Sequence, residues 1–221
     1  MRFAIASEGR TDYIVLKNLL IGFFKDKSLP ITRLRPKDKE PFGWGNLLKY
    51  ISSQDFRDDC DDENIDYAII QIDTNECKEW DEGLKHIGDK ASEINSFISQ
   101  IILVLIKNIG NEFYTVNKDK IIFAICVHEI ECWLLPFHAK QAAHYSKIVG
   151  CANAIEQIAL KNGYSIHQKN YQDGKHYEDL SKEMKNHKEL MQKYNLNPGL
   201  KFFVDRLLEA FPKDEVEKSV E

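Results

Sequence analysis

One segment of the sequence constrains the fold more than any other. Positions 121–127 read IIFAICV, an unbroken apolar run in which β-branched residues recur. A parallel strand that is covered by helices on both faces is apolar along its whole length, with no polar residues at alternate positions. The run therefore predicts a buried central strand of a parallel sheet, and a histidine and two acids follow it directly.

Shorter apolar runs predict further strands, and segments with helical spacing of apolar residues separate them. The predicted strands are Phe3–Ala6, Ile31–Leu34 and Tyr67–Ile72. The clearest helices are predicted for a segment that Thr11 caps, for Trp44–Ser52, for Ile94–Ile109 and for Leu200–Phe211. Strands that alternate with helices favour an α/β fold with a mostly parallel sheet flanked by helices.

The organisation of the chain changes after about residue 136. Residues 1–136 contain all the predicted strands, whereas residues 137–221 are mainly helical and include the lysine-rich stretch Glu178–Tyr194. We therefore expect an α/β domain at 1–136 and, at 137–221, a helical C-terminal extension packed on the same domain. The acid-rich segment Asp55–Glu63 has no apolar repeat and is expected to be an exposed connection.

Composition excludes several classes of function. With 30 basic and 35 acidic residues the net charge is −5, so any contact with nucleic acid must use local patches or bound metal rather than bulk charge. No apolar run approaches the roughly 18–20 residues of a membrane helix, and the N-terminal run is shorter than the core of a signal peptide. We expect a cytoplasmic protein without membrane contact. Its five cysteines show no metal-ligand spacing and are expected to be reduced thiols.

Acidic residues follow three of the predicted strands. The first strand is followed by Glu8 and Asp12, the third by Asp73 and Glu76, and the fourth by Glu129 and Glu131. The carboxyl ends of neighbouring parallel strands meet at one edge of a sheet, so these acids converge if the strands are neighbours. Converging carboxylates bind hard cations such as Mg²⁺. The alternative is that each acid ends a strand or caps a helix in water.

Three segments carry a family resemblance when they are read in order. Positions 7–12 read SEGRTD, which is similar to an EGxTE/D signature, and Asp73-Thr74-Asn75 stands where a DxD motif is usual. Positions 128–135 read HEIECWLL, which is similar to an E-x-E-x-W-L-L segment. Together the segments resemble the Toprim domains of topoisomerases, primases and OLD-type (overcoming lysogenization defect) nucleases. They are similar in particular to small stand-alone bacterial Toprim-like proteins that are often associated with phage defence, and they span about residues 1–136.

The resemblance implies a Toprim-like (Rossmann-like) fold and a nuclease that hydrolyses DNA or RNA with Mg²⁺ or Mn²⁺. It implies catalytic roles for Glu8, Asp73 and Glu131. The metal-binding set that it implies is Glu8, Asp12, Asp73, Glu76, Glu129 and Glu131. Within this set Glu131 or Glu129 completes the cluster, and Glu76 has an assisting role.

Asn75 departs from the family pattern, because it replaces the second aspartate of DxD and removes a charge. This departure favours an alternative, a catalytically degenerate Toprim-like module that binds nucleic acid or a partner ATPase. The sequence contains no Walker A motif, so such an ATPase is expected to be a separate chain. A receiver domain is a further alternative for a strand-ending Asp73, although the first strand lacks the paired acids and the fourth lacks the strand-end lysine of that class.

Two basic regions are candidate contacts for nucleic-acid phosphates. One is a proline-bounded loop with Arg33, Arg35, Lys37 and Lys39. The other lies in the C-terminal extension and consists of Lys175 and Lys182 together with Lys169, Lys185, Lys188, His167, His176, His187, Tyr171 and Tyr177. Because acids alternate with these lysines, an ordinary solvated helix face is the alternative for the second region.

Overall fold

The structure, a computed structural model, describes residues 1–81, 83–84, 91–163, 165–166 and 174–212. Its strands are β1 (Phe3–Ala6), β2 (Ile31–Arg35), β3 (Tyr67–Asp73) and β4 (Ile121–Cys126). They form one sheet in the order β2-β1-β3-β4, and each neighbouring pair is parallel. The predicted strands are confirmed, and so is an α/β fold with a parallel sheet flanked by helices, which is compatible with a Rossmann-like arrangement.

Helices connect the strands and form the C-terminal part of the chain. They are α1 (Arg10–Phe24), α2 (Trp44–Ile51), α3 (Gln54–Asp61), α4 (Ile94–Ile109), α5 (Asn111–Asn117), α6 (Glu131–His138), α7 (Cys151–Lys161), α8 (Lys175–Leu180), α9 (His187–Lys193) and α10 (Pro198–Ala210). Helix α1 begins before Thr11, and Gly9 is its N-cap residue. Within the described ranges no single helix has the length and apolar character needed to cross a membrane; α4 and α5 meet that test only as a pair, and the chain bends by 106° between them.

Side chains of the sheet alternate between two hydrophobic cores. Phe3 and Ile5 of β1 pack in a core with α1 and with the helices from α6 to α10. Ala4 and Ala6, the alternate residues, pack in a second core with α2, α3 and α4. Because both faces of the sheet are covered, β4 is apolar along its whole length.

The helices after residue 137 share their core with β1 and α1. The closest approach is at Gly22 of α1, where a Cβ atom would lie 1.9 Å from the carbonyl oxygen of Met184. Only glycine leaves room for this contact between α1 and the 3₁₀ turn Lys182–Lys185. The C-terminal helices therefore pack directly on the helix that carries Asp12.

One of two polar segments differs from expectation. The acid-rich segment is not an exposed connection, because α3 covers most of it and buries Phe56 and Cys60, which lie one helical turn apart. The sequence analysis missed this helix because it contains only one buried apolar pair, which is too short to form a repeat. The lysine-rich stretch is helical, as expected, and it consists of the end of α8, the 3₁₀ turn and α9, which the side chain of Asn186 caps.

Candidate metal centre

The carboxyl ends of β1, β3 and β4 lie side by side and bring four of the predicted acids together. Glu8 follows β1, Asp73 is the last residue of β3, and Glu131 is the first residue of α6. Asp12 joins them from the first turn of α1. We call Glu8, Asp12, Asp73 and Glu131 the carboxylate cluster. Its members come from segments that are far apart in the sequence and meet because their strands are neighbours.

Hydrogen bonds between the loops after β3 and β4 fix Asp73 relative to Glu131. The backbone N–H groups of Thr74 and Asn75 donate to the carbonyl oxygen of His128 over 2.9 and 3.0 Å. The N–H of His128 donates to Oγ1 of Thr74 over 2.8 Å. His128 has a φ of 72°, in the left-handed region that few residues other than glycine adopt, and these hydrogen bonds hold it there. The HEIE segment thus leaves the sheet through a turn that the loop after β3 stabilises.

Gln71 of β3 links the cluster and was not identified from the sequence. Its Nε2 donates to Oδ1 of Asp73 over 2.8 Å and to Oδ1 of Asp12 over 3.3 Å. Its Oε1 accepts a hydrogen bond from the N–H of Glu8 over 3.0 Å, and the N–H of Asp73 donates to Oε2 of Glu8 over 3.3 Å. Gln71 is fully buried. The available signal was a polar residue at an inner position of the otherwise apolar strand YAIIQI.

Tyr177 of α8 contacts the cluster from the C-terminal extension. Its hydroxyl group donates a hydrogen bond to Oε1 of Glu131. Its side chain is buried, so it is not one of the exposed aromatic residues expected in the second basic region. The hydrogen bond stabilises the ionised form of Glu131 and lowers its pKa, which opposes the effect of burial.

The cluster holds more negative charge than its surroundings compensate. Burial, with a smaller contribution from neighbouring carboxylates, raises the pKa of Glu8, Asp12 and Glu131 to about 7 in each case. The pKa of Asp73 lies well above its ordinary value because of burial and the charges of Asp12, Glu8 and Glu131. In the described part of the chain, none of the four forms an ion pair with a basic residue. Hard oxygen donors without a basic partner fit Mg²⁺ or Mn²⁺.

Glu76 and Asn75 lie at the border of the cluster and are exposed. Oε2 of Glu76 accepts a hydrogen bond from Nε1 of Trp44 over 2.6 Å. The charge of Glu76 contributes to the raised pKa of Glu8, so the two carboxylates are near one another. Asn75 contributes its backbone N–H to the loop contact with His128. Glu76 therefore adds negative charge near Glu8, whereas the side chain of Asn75 adds none.

Glu129 has different surroundings from Glu131, although only one residue separates them. Its Oε1 accepts a hydrogen bond from the backbone N–H of Ala152 over 2.6 Å, in the first turn of α7. Its charge still raises the pKa of Glu131. The sequence left open which of the two acids completes the cluster, and the structure brings Glu131 to Asp73 and Tyr177 while Glu129 contacts α7.

Glu129 belongs to a second group of possible metal ligands. One ligand atom each from Glu129, Cys132 and Cys151 lie within 4.8 Å of one another, so this group could hold a metal ion. The expectation of five reduced cysteines is wrong for this structure, because Cys132 and Cys151 form a disulfide. Cys60, Cys77 and Cys126 are buried free thiols. Sequence spacing gave no signal for the pair, since 19 positions separate the two cysteines.

The predicted basic loop lies next to the cluster, and its arginines are engaged with acids. The backbone N–H of Gly43 donates to the carbonyl oxygen of Glu8 over 2.9 Å. Arg33 pairs with Asp38. Arg35 lies 3.5 Å from a carboxylate oxygen of Glu40, 3.7 Å from one of Asp55 and over the ring of Tyr50. Lys37 and Lys39 are exposed. A cavity of about 260 Å³ beside the loop is lined by Glu8, Arg35, Phe42 and Lys49, among others.

The second basic region is only partly described. Lys175 and Lys182 are exposed, at the start of α8 and in the 3₁₀ turn that follows it. Lys185 pairs with Glu178, as the alternative of a solvated helix face predicts. Lys169, His167 and Tyr171 lie outside the described residues. The structure thus places Lys175 on α8, the helix that carries Tyr177.

Comparisons of the chain with protein-family models, with curated proteins and with solved structures gave no significant match. The Toprim resemblance therefore depends on the three quoted segments alone and stays a prediction.

Proposed function

We propose that the protein is a Toprim-like, metal-dependent nuclease that hydrolyses phosphodiester bonds of DNA or RNA with Mg²⁺ or Mn²⁺. The observation that supports this proposal is the carboxylate cluster, in which four acids from three neighbouring strand ends lie together without a basic partner among the described residues. Mutual repulsion makes such a set unfavourable by itself, and a divalent cation relieves it. Phosphodiester hydrolysis is a common use of carboxylate-bound metal ions.

Glu8, Asp73 and Glu131 would hold the ion, with Asp12 and Glu76 assisting. The chemistry that Mg²⁺ or Mn²⁺ supplies when bound is polarisation of the phosphate and a lower pKa of the attacking water. Gln71 orients Asp12 and Asp73 through its amide group. Tyr177 orients Glu131 and favours its ionised form. Such hydrogen bonds to metal ligands tune metal affinity.

The basic loop supports nucleic acid as the substrate. Lys37 and Lys39 are exposed cations close in sequence to Arg35, whose backbone carbonyl accepts a hydrogen bond from the N–H of Ser7 over 3.0 Å. The loop therefore begins beside the residue that precedes Glu8. Phosphate contacts from exposed basic residues position a nucleic acid without reading its sequence. With a net charge of −5, the chain needs such a local patch to hold a polyanion near four carboxylates.

Incubation of the purified chain with supercoiled DNA, single-stranded DNA and tRNA, in the presence of Mg²⁺ or Mn²⁺, tests the proposal. We expect cleavage of at least one substrate, and we expect EDTA to abolish it. Glu8→Gln and Asp73→Asn are the test variants. Asp119→Asn is the matched control, since Asp119 is exposed and lies just before β4, at the opposite edge of the sheet. Metal-dependent cleavage that persists in both test variants would contradict the proposal.

A second candidate function is a catalytically degenerate Toprim-like module that binds nucleic acid or a separate ATPase chain. Asn75 favours it, and so does the spacing of the cluster, because the close triple of ligand atoms in the described structure belongs to the Glu129 group instead. Calorimetric titration with Mg²⁺ and Mn²⁺ separates the two functions. A catalytic site binds the ion at millimolar concentration or below, whereas a degenerate site gives no heat of binding. A role in phage defence belongs to the first proposal and follows from the resemblance, while cytoplasmic location stays the prediction made from the sequence alone.

A further inference from the structure

The group formed by Glu129, Cys132 and Cys151 lies outside the carboxylate cluster and contains a different kind of donor. We propose that, when the disulfide is reduced, these three residues form a second metal site that binds a thiophilic ion such as Zn²⁺, and that disulfide formation abolishes it. We call this group the thiol site. The proposal does not depend on the nuclease proposal, because it concerns other residues and another class of metal ion.

Geometry supports the proposal first. The three ligand atoms lie within 4.8 Å of one another, and both cysteines are buried. The Cα atoms of the cysteines are 5.0 Å apart. A tetrahedral site with Zn–S bonds of about 2.3 Å needs sulfur atoms about 3.8 Å apart, which side-chain rotation can supply at this Cα separation. The backbone therefore suits both states of the sulfur pair.

The position of the two cysteines in their helices also favours thiolates as ligands. Cys151 is the first residue of α7, and Cys132 is the second residue of α6. Helix N-termini carry a partial positive charge, which stabilises a thiolate relative to a thiol. Two helices thus direct their N-terminal turns at the place where two thiolates would lie.

Glu129 supplies a third ligand that is already oriented. Its Oε1 accepts the hydrogen bond from the N–H of Ala152, next to Cys151. The backbone N–H of Cys132 in turn donates to the carbonyl oxygen of Glu129 over 3.1 Å. Hydrogen bonds that fix a ligand in this way are typical of protein metal sites. Two sulfur atoms and one carboxylate oxygen leave a fourth position for water, as in three-ligand zinc sites.

The two states are mutually exclusive because they use the same sulfur atoms. An external dithiol reductant transfers two electrons and two protons to the disulfide, which yields two thiols and the oxidised reductant. Binding of Zn²⁺ to the two thiols then releases two protons and forms two Zn–S bonds. In the reverse direction an external disulfide accepts two electrons from the two thiolates and, with two protons, becomes two thiols; the S–S bond of the chain forms again and the ion is released.

Metal titration of the intact chain in both redox states tests the proposal. Thiol quantification in denaturant should give five thiols after reduction and three after oxidation, the three being Cys60, Cys77 and Cys126. The reduced chain, freed of reductant under nitrogen, should bind one Zn²⁺ that a chromophoric chelator competes for. With Co²⁺ as the probe it should show the sulfur-to-cobalt charge-transfer absorption that marks thiolate ligation. The oxidised chain should show no such band.

Variants assign the site and separate it from the carboxylate cluster. Cys132→Ser and Cys151→Ser should each abolish the charge-transfer band, and Glu129→Gln should weaken Zn²⁺ binding about tenfold. Cys60→Ser is the matched control and should bind as wild type does. Asp73→Asn should retain the band even if the nuclease proposal fails.

Three results would overturn the proposal. The first is a reduced wild-type chain that gives no thiolate-to-cobalt band. The second is a band that survives in Cys132→Ser. The third is a chain that keeps five thiols after oxidation, which would remove the disulfide state. Comparison of oxidised and reduced wild type requires no substitution, so a variant that fails to fold does not prevent the test.

Discussion

The carboxylate cluster and the thiol site share one short segment of the chain, and they differ in the donor atoms that they offer to a metal. Glu131 lies near Asp73 and accepts a hydrogen bond from Tyr177, whereas Glu129 and Cys132 contact the N-terminus of α7. The first site offers hard oxygen donors with raised pKa values and no basic partner among the described residues. The second offers two sulfur atoms and one carboxylate. Residues that are close in sequence can therefore belong to sites that suit different ions, because donor chemistry sets the preference for a metal.

Asp73→Asn is expected to give the largest effect. It removes the carboxylate that interacts with the three other members of the cluster. Loss of a metal ligand should lower the rate of metal-dependent cleavage by about 100-fold or more, since even outer-shell changes cost about 10–100-fold. Rates on the best substrate at saturating Mn²⁺ measure it. Cobalt binding at the thiol site should stay unchanged, and a loss of both would show that the two sites are not independent.

Asp12→Asn tests the charge excess of the cluster without an activity assay. The pKa of Asp12 is about 7 in the folded chain, against an ordinary value of 3.8, because of burial and the charge of Glu8. A raised pKa means that the folded chain binds more protons than the unfolded chain between about pH 4 and pH 7, so stability falls as pH rises through that range. The variant, which stays neutral, should be more stable than wild type by about 4 kcal/mol at pH 8 and nearly equal to it near pH 4.

Urea unfolding in EDTA at both pH values measures this difference. Adding Mg²⁺ at pH 8 should stabilise the wild type and leave the variant less affected, because the ion binds the folded state. Equal stabilities at pH 8 would mean that the cluster carries no uncompensated charge.

Tyr177→Phe removes one hydrogen bond and leaves the packing of the ring. The hydroxyl group lowers the pKa of Glu131 by donating to its carboxylate, so the variant should have a more basic Glu131. We expect about tenfold weaker binding of Mn²⁺, and the pH at which binding is half complete should shift upward. Calorimetric titration across pH 6–9 measures both effects. The control is Tyr194→Phe, since Tyr194 is a partly buried tyrosine of the same extension. An unchanged pH profile would leave Tyr177 a packing residue only.

Glu129→Gln is expected to give the smallest effect on stability. The variant keeps an oxygen that accepts from Ala152 but loses a negative charge at the N-terminus of α7. Such charges stabilise helices by about 0.3–1 kcal/mol. Thermal unfolding of the oxidised chain should therefore show a small decrease, while nuclease activity stays within about twofold of wild type. A loss of activity as large as that of Asp73→Asn would place Glu129 in the cluster after all.

Local patterns were sufficient for most of the fold. The unbroken apolar run of β4 predicted a strand covered on both faces, and the bounds predicted for α4 agree with the structure. Patterns failed where only a few residues are buried, as in α3, which buries Phe56 and Cys60 among many acids. They gave no position for the 3₁₀ turn between α8 and α9, where Met184 packs closely against Gly22. A short helix contains too few apolar residues for their helical spacing to be recognised in the sequence.

The candidate site divides in the same way. Acids at strand ends are visible in the sequence because the period of a strand and the position of its end are local properties. Gln71 gave a weak signal as a polar residue in an apolar strand, whereas the role of Tyr177 gave none, since 46 positions separate it from Glu131. The basic loop was identified as a charged patch, but the pairing of Arg35 with Glu40 and Asp55 depends on how the loop folds back.

A parallel α/β fold and the acids that follow its strands can be predicted from local sequence patterns, because strand period, strand ends and residue chemistry are all local. Tertiary structure decided that β1, β3 and β4 are neighbours, which brings Glu8, Asp73 and Glu131 together. It also decided that Glu129 and Glu131 point to different sites, and that Cys132 meets Cys151. These outcomes depend on contacts between distant segments, and no local pattern encodes which of many possible contacts the packed core selects.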